Sequence, residues 1–285
     1  TNKFIGGQCV QYSSPTRLED ALQLLATSAP SVIAGGTDWY PAQGEAPIKC
    51  DMLDVTRIEG LRGVERLETG WRIGAASTWS DVIAVDLPSA FDGLKAAARE
   101  VGSVQIQNAG TVAGNLCNAS PAADGVPPLL ALDASVEVRS ADGLRIIPLD
   151  QFLTGVRRTA LEKGELVSAI LIPDMSDARK SAFAKLGARK YLVISIAMVA
   201  VSFEVERGVL HDVRIAVGAC SPVALRLSGL EQQLEGQGFD VVGEILKDAD
   251  LSALSPIDDV RGSGAYRLDV VRALIAQTVS EAAHG

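Results

Sequence analysis

Histidine is scarce in this sequence and cysteine is never paired. His211 and His284 are the only histidines and lie far apart, so they supply neither a His-based metal site nor a Ser–His–Asp triad. Cys9, Cys50, Cys117 and Cys220 are scattered without a CxxC pair, which excludes the ligand spacing of zinc and iron–sulfur sites. The expectation is small, mostly buried thiols in a reducing, cytoplasmic compartment, and no metal bound by this chain. Excess positive charge is also missing. A formal net charge of -9 argues against a nucleic-acid or anionic-membrane surface. The longest charge-free apolar stretch of the second half, Tyr191 to Phe203, falls short of the roughly 20 residues of a membrane span and reads as a buried strand. Thr1 to Tyr12 has no basic region followed by an apolar core, so no signal peptide is expected. No GxGxxG fingerprint opens a βαβ unit.

What is present is a pair of glycine-bearing loops. The first, Ala34-Gly35-Gly36-Thr37-Asp38, follows the apolar run Ser31-Val32-Ile33, which reads as a buried strand. The second is Thr111-Val112-Ala113-Gly114-Asn115. Small residues let a backbone approach a ligand closely and adopt φ > 0, so successive amides can converge on one anion. No Lys or Arg occurs between Ser31 and Ile48, or between Asn108 and Val138. An anion held here would rely on amides and hydroxyls, unless a basic group arrives from elsewhere in the fold.

The 285 residues suffice for two domains with cores of their own. Thr16-Arg17-Leu18-Glu19 has the form of a capping box and opens a helix whose face is Leu18, Ala21, Leu22 and Leu25. Asp51 to Val55 reads as a strand. Val64 to Leu67 and Trp71 to Ala75 form a hairpin around Glu68-Thr69-Gly70. Thr78 to Asp81 is a second capping box, and Leu94, Ala97, Ala98 and Val101 line the next helix. Gly102 to Pro128 is expected to be a long, functional loop. Pro127 and Pro128 suit only the first turn of a helix, with Asp124 at its N-terminus. A hairpin follows across Ala141-Asp142-Gly143, then a strand from Glu165 to Ile172. The polar segment from Asp174 to Lys180 reads as a linker. Beyond it Ala182 to Leu186, Val193 to Glu206 and Val209 to Ala219 look like an antiparallel meander with a tight turn at Arg207-Gly208, and three helices follow. The boundary falls near residue 177, giving domains 1–176 and 177–285.

Together these pieces resemble the FAD-binding medium subunit of the molybdenum hydroxylases, the group of xanthine dehydrogenase and carbon monoxide dehydrogenase. The resemblance is carried by AGGTD at Ala34 to Asp38, QIQNAGTVAGNLCNASPAAD at Gln105 to Asp124 and LLALDA at Leu129 to Ala134. It continues through Phe183-Ala184-Lys185-Leu186-Gly187, DVRIAVGACSP at Asp212 to Pro222, and the tail from Asp259-Val260-Arg261 to Tyr266-Arg267. It implies an α+β fold: a two-lobed FAD-binding domain of the vanillyl-alcohol-oxidase/PCMH type, then a smaller domain with a three-stranded antiparallel sheet and helices. Two positions depart from the family pattern, Ala113 where a glycine is usual and Gln107 where an arginine is usual.

The resemblance also implies roles. Ile33, Ala34, Gly35, Gly36, Thr37 and Asp38 would present amides and a hydroxyl to the FAD pyrophosphate, where the plainer reading is a tight turn needing glycine. Thr111, Val112, Ala113, Gly114 and Asn115 would form the facing wall. Asp124, and more weakly Ser120, would accept hydrogen bonds from sugar or ribityl hydroxyls; Asp124 equally suits a plain N-cap. Glu165 and Val167 lie where the family places residues near the isoalloxazine, although Val167 equally suits a core strand. Lys185 would sit near the flavin N1/C2 carbonyl, or else be a solvated strand lysine. Tyr191 would gate or stack near the flavin, or be a strand-edge aromatic. No catalytic side chain is expected, because the redox centre is FAD itself. The implied function is electron transfer from [2Fe–2S] clusters on a small subunit, through FAD, to NAD+, O2 or another acceptor. Substrate would be hydroxylated at a molybdopterin on a large subunit, in a dimer of heterotrimers. A self-contained flavin oxidase of the same fold is the alternative, and a non-catalytic module whose glycine loops are only turns is a third reading. Gly36→Val and Gly114→Val are each expected to abolish FAD retention without unfolding the C-terminal domain, measured as flavin content; normal flavin in both variants would remove the loop assignment.

Overall fold

The computed structural model describes residues 2–5, 8–190 and 192–284. Its first layer is a small sheet in which Gln8–Ser13, Met52–Asp54 and Ser31–Ile33 run parallel, with Asn2–Ile5 antiparallel at the edge. The helix Leu18–Ser28 lays Ala21, Leu22 and Leu25 against Leu53, Val55, Ile58 and Leu61, a core separate from the rest. Its expected capping box does not form. Arg17 occupies the N-cap position without a side-chain bond, and the Thr16 carbonyl accepts the Glu59 amide at 2.9 Å. A tertiary contact therefore sets the chain's entry into this helix.

The second layer is a five-stranded antiparallel sheet in the order Val64–Leu67, Gly70–Gly74, Leu166–Pro173, Ser135–Ser140, Gly143–Pro148. Both expected hairpins are present. Helices Trp79–Ala84, Asp92–Glu100 and Val126–Ala131 carry Trp79, Val82, Leu94, Ala97 and Leu129 into the main core with Ile73, Val136 and Ile170. Each such side chain, fully buried, contributes roughly 1.5–3 kcal/mol for the largest and less for alanine. The Thr78 capping box is complete: its hydroxyl accepts the Asp81 amide, and the Asp81 carboxylate accepts the Thr78 amide.

The stretch from Gly102 to Pro128 is not a loop. It contains two short helices, Val104–Ala109 and Val112–Asn118, capped by the hydroxyls of Ser103 and Thr111. Neither helix is long enough to show periodicity, and Val104 is exposed, so only the caps mark them. Ala113 lies in the first turn of the second helix, with its methyl buried and no positive φ. Alanine therefore replaces the usual glycine without backbone strain. Gln107 is buried and donates to the Arg99 carbonyl at 2.9 Å. Asp124 is not the N-cap of the following helix; Gly125 takes that position without a side-chain bond.

The third layer comprises Lys180–Leu186, Ala197–Glu206 and Val209–Gly218 in meander, with the two-residue strand Leu225–Arg226 added as a fourth. The second strand begins at Ala197 rather than Val193. At the turn Arg207 and Gly208 both have positive φ, as a two-residue hairpin loop of the right twist requires. This sheet is buried on both faces. Phe183, Met198, Ala200 and Ala216 point into the core of the second layer. Ala184, Val199, Val201, Ile215 and Val217 point into a core closed by the helices Ser228–Leu234, Phe239–Lys247 and Gly264–His284. Two-sided burial explains why these strands read as continuous apolar runs rather than alternating ones. Asp133 joins the layers through ion pairs to Arg214 and Arg226. Among the described residues no helix is long and apolar enough to cross a membrane.

Glu165 is engaged in this framework. Arg145 donates to both of its oxygens at 2.6 Å, and the Glu162 amide adds a third bond at 2.6 Å. The Arg145 hydrogen bonds hold the carboxyl below the usual glutamate range against the opposing effect of burial. The pair thus stabilises the fold above the unfolded-state pKa of about 4.3, and the contribution is lost as pH falls through the lower folded-state value. Glu165→Gln is expected to cost about 2 kcal/mol at neutral pH, with the gap in melting temperature closing toward about pH 3. A gap of equal size at both pH values would refute the assignment.

Candidate functional site

The two glycine elements touch. A Cβ on Gly35 would lie 1.8 Å from the Ala109 carbonyl oxygen, so only glycine permits the approach. A Cβ on Gly110 would stand 3.3 Å from Thr37 Oγ1. Gly36 has φ +68°, a conformation glycine adopts at little cost. Behind this contact the Trp79 amide donates to the Gly110 carbonyl at 3.1 Å, and the Val112 amide donates to the Ser77 carbonyl at 3.0 Å. These bonds set the Thr78 and Thr111 caps side by side as an antiparallel bridge. The Trp79 ring, 1% exposed, forms the floor beneath Gly110 and Gly125.

Among the described residues, the amides of Gly35, Gly36 and Thr37 donate to no acceptor. Asp38 precedes the short helix Trp39–Gln43, and its side chain makes no cap bond. Ile33 is buried at the end of its strand, and Ala34 packs against the first-layer core. Across the contact, the Thr111 hydroxyl accepts the Gly114 amide at 3.0 Å. Val112 is buried. Asn115 Oδ1 is buried with no hydrogen-bond partner and lies 2.9 Å from where a Gly125 Cβ would be. A buried carbonyl left unpaired costs about 1–3 kcal/mol, so an external donor there is favoured. Ser120 Oγ accepts the Ala122 amide at 3.3 Å, which leaves its own proton free to donate.

Asp124 and Lys185 meet, which the sequence spacing did not reveal. Lys185 Nζ donates to Asp124 Oδ2 at 2.7 Å and to the Glu100 carbonyl at 3.2 Å, with the Glu100 carboxylate at 3.7 Å. The Lys185 side chain is 6% accessible, so it is not a solvated strand lysine. Ser195, a residue no motif singled out, donates to Asp124 Oδ1 at 2.6 Å. Burial pushes the Asp124 carboxyl above the usual range, opposed by the Lys185 ammonium and by the hydrogen bonds from Lys185 and Ser195. An open cavity of about 540 Å³ adjoins this pair, lined by Glu100, Phe183, Lys185, Gly187, Arg189 and Val193. That size lies within the range of small-molecule sites.

Other expected residues have separate places. Val167 is 2% exposed in the main core, opposite Val138. Glu165 is taken up by Arg145. Tyr191 lies outside the described residues. The remaining set fits a flavin dinucleotide by its chemistry. Unpaired amides suit a pyrophosphate, the orphaned Asn115 carbonyl and the Asp124 carboxylate suit sugar or ribityl hydroxyls, and Lys185 suits an electron-rich ring edge.

Comparison with known proteins agrees. Residues 8–175 match the family model of the FAD binding domain in molybdopterin dehydrogenase, and residues 181–282 match that of the CO dehydrogenase flavoprotein C-terminal domain. The chain is 31% identical over 281 residues to the nicotine 6-hydroxylase medium subunit of Paenarthrobacter nicotinovorans, covering 96% of this chain and 97% of that one. It is 29% identical over 277 residues to the putative xanthine dehydrogenase FAD-binding subunit of Escherichia coli (strain K12), covering 95% of each. Among solved structures, carbon monoxide dehydrogenase from Hydrogenophaga pseudoflava matches with a TM-score of 0.87 at 26% identity, covering 96% of both chains. Reconstituted CO dehydrogenase from Oligotropha carboxidovorans matches with a TM-score of 0.88 at 25% identity, covering 98% of this chain and 99% of that one.

Lys185→Met would leave Asp124 buried without its counter-charge, at an expected cost of about 3 kcal/mol in the flavin-free chain. Adding Asp124→Asn should recover part of that loss in thermal melts. Strictly additive effects in this double-mutant cycle would contradict the pairing.

Proposed function

This chain belongs to the FAD-binding subunits of the molybdopterin dehydrogenases, and on that premise we propose that it is the electron-transfer subunit of a three-component oxidoreductase. Its electrons would come from [2Fe–2S] clusters on a small partner subunit and leave to NAD+, O2 or another acceptor. Substrate would be hydroxylated at a molybdopterin centre on a large partner subunit, in a dimer of heterotrimers located in the cytoplasm. FAD, when bound, supplies the redox chemistry that connects clusters to acceptor.

The chain's own residues bind and orient. The amides of Gly35, Gly36 and Thr37, with the segment Ile33–Asp38 around them, would hold the pyrophosphate without a basic side chain. Thr111–Asn115 would close the opposite wall, with the Asn115 carbonyl accepting a hydroxyl proton. Ser120 and Asp124 would hold the sugar or ribityl hydroxyls. Lys185 would place its positive charge beside the flavin N1/C2 carbonyl, in the cavity that adjoins it. We place the division between the cofactor-binding domain and the C-terminal domain at residues 176 and 177.

One observation carries this reading. Besides the amides of Gly35, Gly36 and Thr37, which donate to no acceptor among the described residues, the unpartnered Asn115 Oδ1 lies beside Gly125, next in the chain to Asp124 with its buried partner Lys185. The self-contained oxidase gains no such support.

The test is an absorption spectrum, with acid release of the chromophore, on the chain isolated gently with whatever accompanies it. Released FAD, iron–sulfur absorption and two companion chains are expected. Flavin with no companions and turnover by the chain alone would replace the proposal with the oxidase. A colourless preparation that gains no thermal stability from added FAD would refute cofactor binding; saturating FAD should otherwise add a few kcal/mol.

A further inference from the structure

The tail from Asp259 to Arg267 reaches the loop that carries Ser195. Arg267, 3% exposed within the helix Gly264–His284, donates through Nη1 to the Ile196 carbonyl at 2.5 Å and to the Ala219 carbonyl at 3.1 Å. Its Nη2 donates to Asp259 Oδ1 at 2.7 Å, and Asp259 is itself fixed by a backbone pair with Gly262 at 3.1 Å. Ile196 is gripped from its other side as well, because its amide donates to the Leu186 carbonyl at 2.7 Å. Both backbone groups of residue 196 are therefore occupied. Its neighbour Ser195, 2% exposed, donates its hydroxyl to Asp124 Oδ1 at 2.6 Å.

We infer that Ser195, held by the Asp259–Arg267 clamp, is a positioning residue that orients the Asp124 carboxylate for the cofactor's hydroxyls. This rests on the FAD site proposed above. A carboxylate offers about four acceptor directions. Lys185 takes one on Oδ2 and Ser195 one on Oδ1, so the carboxylate cannot rotate and its remaining lone pairs face fixed directions. The Ser195 hydrogen bond also favours the ionised carboxylate, which burial and the nearby Glu100 disfavour. The charged groups around Asp124 are Lys185 on the strand Lys180–Leu186 and Glu100 at the end of the helix Asp92–Glu100; Arg189 and Lys190 line the adjoining cavity. Ser195→Ala changes none of them.

The experiment is FAD binding to the full-length, flavin-stripped chain, followed by flavin fluorescence across a pH series. In the wild type, affinity should fall on the acid side as Asp124 takes up a proton. Ser195→Ala should bind FAD about tenfold more weakly at neutral pH, the loss of one hydrogen bond to a charged group. Its acid-side fall should begin at a higher pH, because the protonated carboxyl is less disfavoured. Ser195→Thr, which keeps the hydroxyl, should restore both affinity and profile. Asp259→Asn should shift the profile in the same direction as Ser195→Ala by loosening Arg267. A wild type that binds FAD beside a Ser195→Ala chain with an unmoved pH profile would overturn this inference alone, even if affinity fell. A wild type that takes up no FAD would overturn the site proposal and this inference together.

Discussion

A carboxylate buried between two layers must be compensated where it lies, and Asp124 imposes that condition on this molecule. Removing an ion from water costs several kcal/mol, which only close, well-oriented partners offset. The segment that follows the helix Val112–Asn118 supplies the carboxylate, the strand Lys180–Leu186 of the third layer supplies the ammonium of Lys185, and the loop leading into the strand Ala197–Glu206 supplies the hydroxyl of Ser195. Separating the layers would strand both charges. The apolar side of the same sheet reinforces the arrangement, since Phe183, Met198 and Ala200 are buried against the second layer. Polar compensation and hydrophobic packing thus act across one interface.

At the other end of the site the constraint is steric. Gly35 approaches the Ala109 carbonyl more closely than any side chain would allow, and the bridged caps at Thr78 and Thr111 hold the second element in place. Amides at such a junction cannot satisfy one another. Among the described residues those of Gly35, Gly36 and Thr37 donate to no acceptor, and the buried Asn115 Oδ1 has no hydrogen-bond partner.

Much of the fold was legible because its signals are local. Alternation and turn residues gave the hairpins at Glu68-Thr69-Gly70 and Ala141-Asp142-Gly143, and the Thr78–Asp81 capping box formed as its spacing implied. The capping box expected at Thr16 does not form; the helix starts one residue later, with Arg17 at the N-cap, while the Thr16 carbonyl accepts the amide of Glu59, distant in sequence. The helices between Gly102 and Pro128 escaped notice because each is shorter than two full turns and one contains a glycine. The long strand starts at Ala197 although apolar residues begin before it, because Ile194 is exposed rather than buried in the sheet.

The sequence by itself determined the hairpins and the longer helices, that two glycine-bearing elements exist, and that neither carries a cation. Those properties depend on residues within a few positions of one another, where backbone sterics and side-chain alternation act directly. Only the tertiary structure decided that Gly35 packs on Ala109, that Lys185 is buried against Asp124, and that Ser195 and Arg267 stand behind that pair. Each of these joins residues far apart in the chain, and their geometry follows from the crossing of whole layers rather than from any local propensity. The contacts of Glu165 and Val167 follow from the same fact: Arg145 and Val138 reach them only once the sheet is assembled.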